Sequence, residues 1–385
     1  MNNRVHDNRV IVMYMREGWT ASSSYYRLLQ YANNLSRELD FEVLVRILVP
    51  DSVVKMRYDA AGGKVSLPKT LLSKVLYNLS VYLHGIPWML NDVRRQPDCL
   101  IVLRSLFPKY CRFPINKAYS LLLSSCKGVV WDFDDDIFDN KEISSAEASL
   151  LIGYSDRITV THAGLRELLP PKDREKVRLL ATTDGDVRSI GRDIEQERAY
   201  SYSSEIRLVW VASASSLPFL THIADALDEA ANAVWTKLHK KLKLRVVCNK
   251  PLERQFNHLE VEFIEWSRKA AIDELKTSHI GIMPLDDTRF ARGKGSFKII
   301  QYMGAGLPSI ASSVGFNKQV IVDGETGYLV GCSEDWIEAI LRLSEDRSFW
   351  NTMSGDARKR WEAEYSYNAN LAALAGTISE AIQRG

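Results

Sequence analysis

Short apolar runs recur along the chain, each closed by a polar turn and followed by residues at helical spacing. RVIVMYM (9–15) leads into YYRLLQYANNLSREL (25–39). EVLVRILV (42–49), CLIVLR (99–104), GVVWDFD (128–134), RITVT (157–161) and VRLLA (177–181) follow. Strands that are apolar on both faces and alternate with amphipathic helices belong to parallel sheets covered on both sides. A second series comprises IRLVWVAS (206–213), LRVVC (244–248), VEFIEW (261–266), HIGIMPL (279–285) and PSIAS (308–312). Two such series predict an α/β chain of two Rossmann-like domains.

Between them, residues 184–205 are polar and lack periodicity, which places the boundary there. The expected organisation is a first domain over 1–185, a linker over 186–204 and a second domain over 205–365. A final helix over 366–385 is expected to return to the first domain. One segment does not read as plain Rossmann. In PKTLLSKVLYNLSVYLHGIPWMLNDVRR (68–95), leucines fall near helical spacing among Lys69, Lys74, Arg94 and Arg95. Two readings stand: a domain helix with a solvated basic face, or an interfacial helix resting on anionic lipid.

Composition narrows the class. The 385 residues are 46% hydrophobic and 25% charged, a soluble globular balance. A formal net charge of +2 gives no footprint for nucleic acid. Charge is uneven locally: residues 64–117 hold nine Lys and Arg, including Lys64, Lys109, Arg112 and Lys117, against Asp92 and Asp98. This stretch is the expected surface for an anionic membrane. Cysteines at 99, 111, 126, 248 and 332 are odd in number and form no CxxC pair, which points to a reducing cytoplasm. Residues 1–15 lack the apolar core of a signal peptide, and no apolar run reaches the ~18 residues of a membrane span.

The strand at 279–285 is followed by FARGKGSFKIIQYMGAGLPSIASS (290–313). Ligands of parallel sheets bind beyond the carboxyl ends of the strands, and a helix start offers N–H donors and partial positive charge. Gly293 and Gly295 allow close backbone approach, and Lys294 and Lys298 add two cations about one helical turn apart. With Ser296 they make a cradle for a diphosphate. Gly304 and Gly306 then stop the helix before the strand that Pro308 opens.

YMGAGLPSIASSVGFNKQVIVDGETGYLV (302–330) resembles the C-terminal signature of family 4 glycosyltransferases, which have the GT-B fold. SDRITVTHAGLRELL and IRLVWVASASSLPFLTHIADALDEA are similar to further strand–helix units of that family. Many members carry Glu-x7-Glu where this chain has Gly293 and Gln301, and an Arg and Lys where it has SASSLPF. The resemblance implies two Rossmann-like domains with parallel sheets facing an interdomain cleft. It also implies donor binding by Gly293, Lys294, Gly295, Ser296, Lys298 and Gln301, with Gln301 toward the ribose.

A second constellation is VVWDFDDDIFDN (129–140), where a core-type strand ends in Asp132, Asp134, Asp135 and Asp136. Four carboxylates within five positions repel one another. They form either a helix-capping cluster in a solvated turn or an active-site wall. On the second reading Asp134 and Asp135 grip donor or acceptor hydroxyls or act as base, with Lys294 at the leaving group. Gly18, Arg27, Arg104, Asp132, Asp136 and His162 are expected acceptor or sugar contacts. Arg27, Arg104 and His162 each have a competing structural reading, as ion pairs and a buried histidine.

The expected function is transfer of a sugar from a nucleotide diphosphate donor to a saccharide or lipid-linked saccharide. The setting is surface polysaccharide biosynthesis at the cytoplasmic face, with retention implied by the resemblance. No cofactor and no metal are expected. Two alternatives were weighed: an inactive binding or scaffold relative, and a Mg-dependent haloacid-dehalogenase-like phosphatase using Asp132 and Asp134.

Overall fold

A computed structural model describes residues 9–61, 66–107, 113–139, 141–191, 198 and 200–384. The chain divides into two compact units, one of residues 1–182 and 370–385, the other of 183–369. Lys64, Lys109, Cys111 and Arg112 lie outside the described residues.

The first unit holds β1 (Val10–Met15), β2 (Glu42–Ile47), β3 (Cys99–Leu103), β4 (Gly128–Phe133), β5 (Arg157–Val160) and β6 (Val177–Leu179). They form one parallel sheet in the order β2-β1-β3-β4-β5-β6. All of β1, β3, β4 and β5 are buried along their length, as a sheet with helices on both faces requires. The chain order reverses between β1 and β3, so a crevice forms outside their carboxyl ends. The last helix, Tyr367–Arg384, mostly belongs to this unit. Gly128 lets it dock, since a Cβ there would meet the Ala381 carbonyl carbon at 2.6 Å. Glu380 on the same helix pairs with Arg157 (2.6 Å) and Arg178 (2.7 Å).

The second unit holds β7 (Glu205–Val211), β8 (Lys241–Cys248), β9 (Glu260–Glu265), β10 (Ile280–Met283), β11 (Ser309–Ser312) and β12 (Gly327–Val330). Its parallel order is β12-β11-β10-β7-β8-β9, with the reversal between β7 and β10. The two strands at the reversal share a short register, Ile280 with Leu208 and Gly281 with Val209. Beyond it they diverge, and the Tyr302 hydroxyl enters the gap. Val211 N–H donates to it (3.2 Å), and it donates to the Ile282 carbonyl (3.2 Å). The ring lies against Gly281, where a Cβ would stand 2.2 Å from it.

The stretch expected as a linker, 186–204, is folded where it is described. Residues 185–189 form a 3-10 turn capped by Asp184. Arg198 is buried and donates to the carbonyls of Lys276, Leu275, Ala305 and Gly306. A polar composition disguised this because the arginine is satisfied by backbone rather than by solvent. The division between units falls at 182/183 instead of after 185.

Candidate functional site

In the second unit, the residues between β10 and β11 do not form one helix from Gly293. A single helical turn, Arg289–Arg292, is capped by the Thr288 hydroxyl, which accepts from Ala291 N. The helix that follows runs Phe297–Gly304. Its N-cap Ser296 has φ 51°, a left-handed conformation. The Ser296 hydroxyl donates to Asn317 Oδ1 (2.7 Å), and Asn317 in turn donates to the Ser312 carbonyl (3.0 Å). Ser296 is thus buried and fixes the helix start to the end of β11.

Gly293 and Lys294 close the preceding turn, their N–H groups donating to Arg289 and Ala291 carbonyls. Lys294 Nζ stands 4.4 Å from the centre of the Phe290 ring, a cation–π contact. Arg292 forks onto Asp287 (2.6 and 2.9 Å) in an exposed pair. Gly295 is buried, and Lys298 is half-buried on the helix's first turn. Burial pushes the Cys248 thiol up, opposed by hydrogen bonds from the Lys250 and Asn249 backbone and then by the positive field of Lys298. The turn after β7 faces the same edge: Ala214 N donates to Asn249 Oδ1 (2.8 Å). His222 Nδ1 lies 3.0 Å from the Asp286 carboxylate, joining the helix after β7 to the loop after β10 across the strand reversal.

Gln301 is not turned toward solvent. It is 1% exposed, and its Nε2 donates to Asp184 Oδ2 (2.7 Å), while its Oε1 has no partner. Burial pushes the Asp184 carboxyl up to about 6, with the hydrogen bonds from Gln301 and Asp186 N opposing it. The expected ribose contact is therefore replaced, in this structure, by a buried amide–carboxylate pair.

In the first unit, two of the expected ligand contacts are spent on each other. Arg27 reaches Asp132 through Nε (2.9 Å) and Nη2 (2.5 Å), and both side chains are fully buried. Thr159 donates to the same carboxylate (2.5 Å), and Arg27 also donates to the Leu180 carbonyl and Thr182 (3.3 Å). The pair thus faces the interior rather than a ligand. Asp132, which the phosphatase alternative would use as its attacking carboxylate, is held in this pair. Asp136 is buried and accepts from Phe138 N and Asp139 N, capping its own turn. His162 caps the helical turn at 163–166, its Nδ1 accepting from Gly164 N (3.1 Å). Gly18 is buried in the turn after β1, its carbonyl accepting from Ala21 N (3.1 Å).

Asp134, Asp135 and Arg104 do come together. Arg104 lies 3.5 Å from Asp134 and 3.3 Å from Asp135, and it reaches Glu142 at 3.2 Å. Glu142 also pairs with Arg16 (3.2 Å). The cluster therefore spans the strand reversal, since Arg16 follows β1 and Arg104 follows β3. Arg104 adopts φ 54°, which disfavours a non-glycine residue by roughly 1–2 kcal/mol. Its N–H donates to the Asp132 carbonyl (2.6 Å), and its own carbonyl accepts from Trp131 Nε1 (2.8 Å). Burial pushes the Asp134 carboxyl up; Arg104 pulls it down and the Asp135 charge raises it again. Asp135 is the more exposed of the two.

Several functional candidates escaped the sequence reading. Arg16, Glu142, His222, Asp184 and Tyr302 sit in no spacing motif. For Arg16, His222 and Tyr302 the signal is topological, because each follows a strand, or packs on one, at the reversal of a sheet. Among the described residues, no group of three or more His, Cys, Asp or Glu is arranged to hold a metal ion.

Two six-stranded parallel sheets, each with its reversal crevice, make the GT-B fold. The fold is similar to that of a glycosyltransferase from Rickettsia africae ESF-5, at 13% identity over 99% of this chain and 100% of that one, TM-score 0.60. It is similar to Anabaena HepE, solved with UDP and glucose, at 11% identity over 97% and 100%, TM-score 0.61. It is also similar to a putative UDP-N-acetylglucosamine 2-epimerase from Listeria monocytogenes, at 13% identity over 98% and 98%, TM-score 0.60. Fold alone therefore leaves the reaction open. Residues 214–346 match the family Glycosyl transferases group 1. No match was found among curated proteins. The chain is a glycosyltransferase of the GT-B class, and its second unit carries the group 1 domain.

Proposed function

We propose that this glycosyltransferase moves a sugar from a nucleotide diphosphate donor to a saccharide carried on lipid, in the building of a surface polysaccharide. The reaction runs with retention at the cytoplasmic face of the membrane, with the protein bound peripherally. The observation that carries the donor reading is the 293–298 turn, inside the matched segment and beyond the carboxyl end of β10. UDP in the Anabaena structure gives the donor class its precedent.

Lys294 and Lys298 neutralise the departing diphosphate, and the buried cap at Ser296 keeps the helix start in place for it. Lys294 needs no carboxylate to be displaced, because it rests on an aromatic ring. On the first unit, Asp134 and Asp135 hold acceptor hydroxyls, and Asp134 takes the acceptor proton. Arg104 keeps the two carboxylates together and limits how far burial raises Asp134.

A thermal-shift screen against UDP, GDP and their sugars tests this reading. One nucleotide series should raise the melting temperature, and Lys294→Ala and Lys298→Ala should each weaken its binding about tenfold or more, as expected for a lost charge-assisted contact. No shift with any nucleotide at millimolar concentration would instead mark a scaffold relative.

A further inference from the structure

The helix Leu67–Arg95 is 29 residues long and packs on the first unit by one face only. Ser73, Tyr77, Val81, Gly85 and Met89 are its buried side. On the opposite side, Leu72, Val75, Leu79, Leu83 and Leu90 are exposed, Leu83 by 60%. At 100° per residue these five fall within an arc of about 80° and extend about 27 Å along the axis. A surface of this kind is rare on a soluble monomer and marks an interaction site.

Charge says what covers it. From Leu67 to Asn91 the helix has no Asp or Glu, and Asp92 is buried against Arg46 (2.8 Å). Exposed cations flank the stripe at both ends, Lys69 at the start and Arg94 at the finish. A second copy of this helix would bring like charges together in either orientation. An anionic bilayer supplies both acyl chains for the leucines and phosphates for the cations. Among the described residues no helix is long and apolar enough to cross a membrane.

We infer that the exposed stripe of Leu67–Arg95 inserts into an anionic bilayer, in the plane of the surface. This deepens the membrane part of the proposed function and rests on it. The same helix also reaches the turn after β1, because Tyr77 donates to Glu17, as does Tyr58 (3.0 Å) from the preceding helix. The docked helix is thereby tied to the Glu17-Gly18 turn at the strand reversal.

The test is flotation of the full chain, without nucleotide, with phosphatidylcholine vesicles and with vesicles containing about a third phosphatidylglycerol. The wild type should float with the anionic vesicles, and Lys69→Glu/Arg94→Glu should lower its partition about tenfold, an effect erased at high salt. Leu79→Glu/Leu83→Glu should abolish flotation at every composition while leaving far-ultraviolet circular dichroism unchanged, since both sites are exposed. The proposal is overturned if the leucine variant floats like the wild type, or if the wild type floats with neither vesicle. A wild-type mass of two chains, reduced to one by the leucine variant, would overturn it in favour of a second copy. Nucleotide binding by the leucine variant should equal that of the wild type, which separates failure here from failure of the donor reading.

Discussion

At the carboxyl edge of the first sheet, Arg16 and Arg104 pair with Asp134, Asp135 and Glu142 in a connected cluster. At the corresponding edge of the second sheet, Lys294 rests on a phenylalanine ring and the helix start is fixed by neutral groups, Ser296 and Asn317. The first arrangement holds its charges at set positions and suits the recognition of neutral hydroxyls. The second holds a cation without cancelling it and suits a ligand that brings its own negative charge. The same strand–turn–helix topology thus gives two different electrostatic edges, according to which residues follow the strands.

The largest expected effect strikes beneath the first edge. Asp132→Ala leaves Arg27 charged and buried without its carboxylate, and should cost about 3–5 kcal/mol in the first unfolding transition. Denaturant titration measures it; a loss below about 1 kcal/mol, the scale of an exposed pair, would break the distinction drawn between this pair and the surface cluster. Next is the cluster itself. Asp134→Asn should lower the rate of donor consumption about 100-fold with little change in melting temperature. Arg104→Ala should move the acid limb of the rate profile to higher pH. A base works only when deprotonated, and removal of the cation lets burial raise Asp134 further. An unchanged limb would deny Asp134 that role.

The smallest effect concerns the second unit and depends on pH. Asp184 is raised from 3.8 to about 6 by burial, so it binds a proton more tightly folded than unfolded. Its contribution to stability is full below about 4 and is lost as pH rises through 6. Asp184→Asn removes that dependence, and its amide has the unpaired Gln301 Oε1 as an acceptor once the glutamine turns. Thermal melts of both proteins should diverge between pH 4 and 7 by roughly 2–3 kcal/mol in the variant's favour. Parallel curves would show that Asp184 is ionised without penalty.

The strands were legible because burial on both faces writes itself as uninterrupted apolar runs such as CLIVLR and GVVWDFD. The placement of the glycine–lysine turn beyond β10 was legible too, since strand and turn are adjacent in sequence. Pairing was not. Arg27 and Asp132 are 105 residues apart, Gln301 and Asp184 are 117 apart, and nothing local distinguishes a carboxylate that faces a ligand from one that faces a buried arginine. The helix start at 297 rather than 293 was missed for a related reason. Its N-cap Ser296 is held by Asn317, a residue that comes after the next strand.

The Tyr302 hydroxyl acts as a rivet. It occupies the place of a ladder hydrogen bond between two strands that have already parted, so the helix bearing the glycine–lysine turn is bolted to the sheet from its middle. Sliding that helix by even one residue would strip a strand N–H and a strand carbonyl at once. The position of the glycine–lysine turn is therefore set by the sheet itself, through a side chain two turns further along.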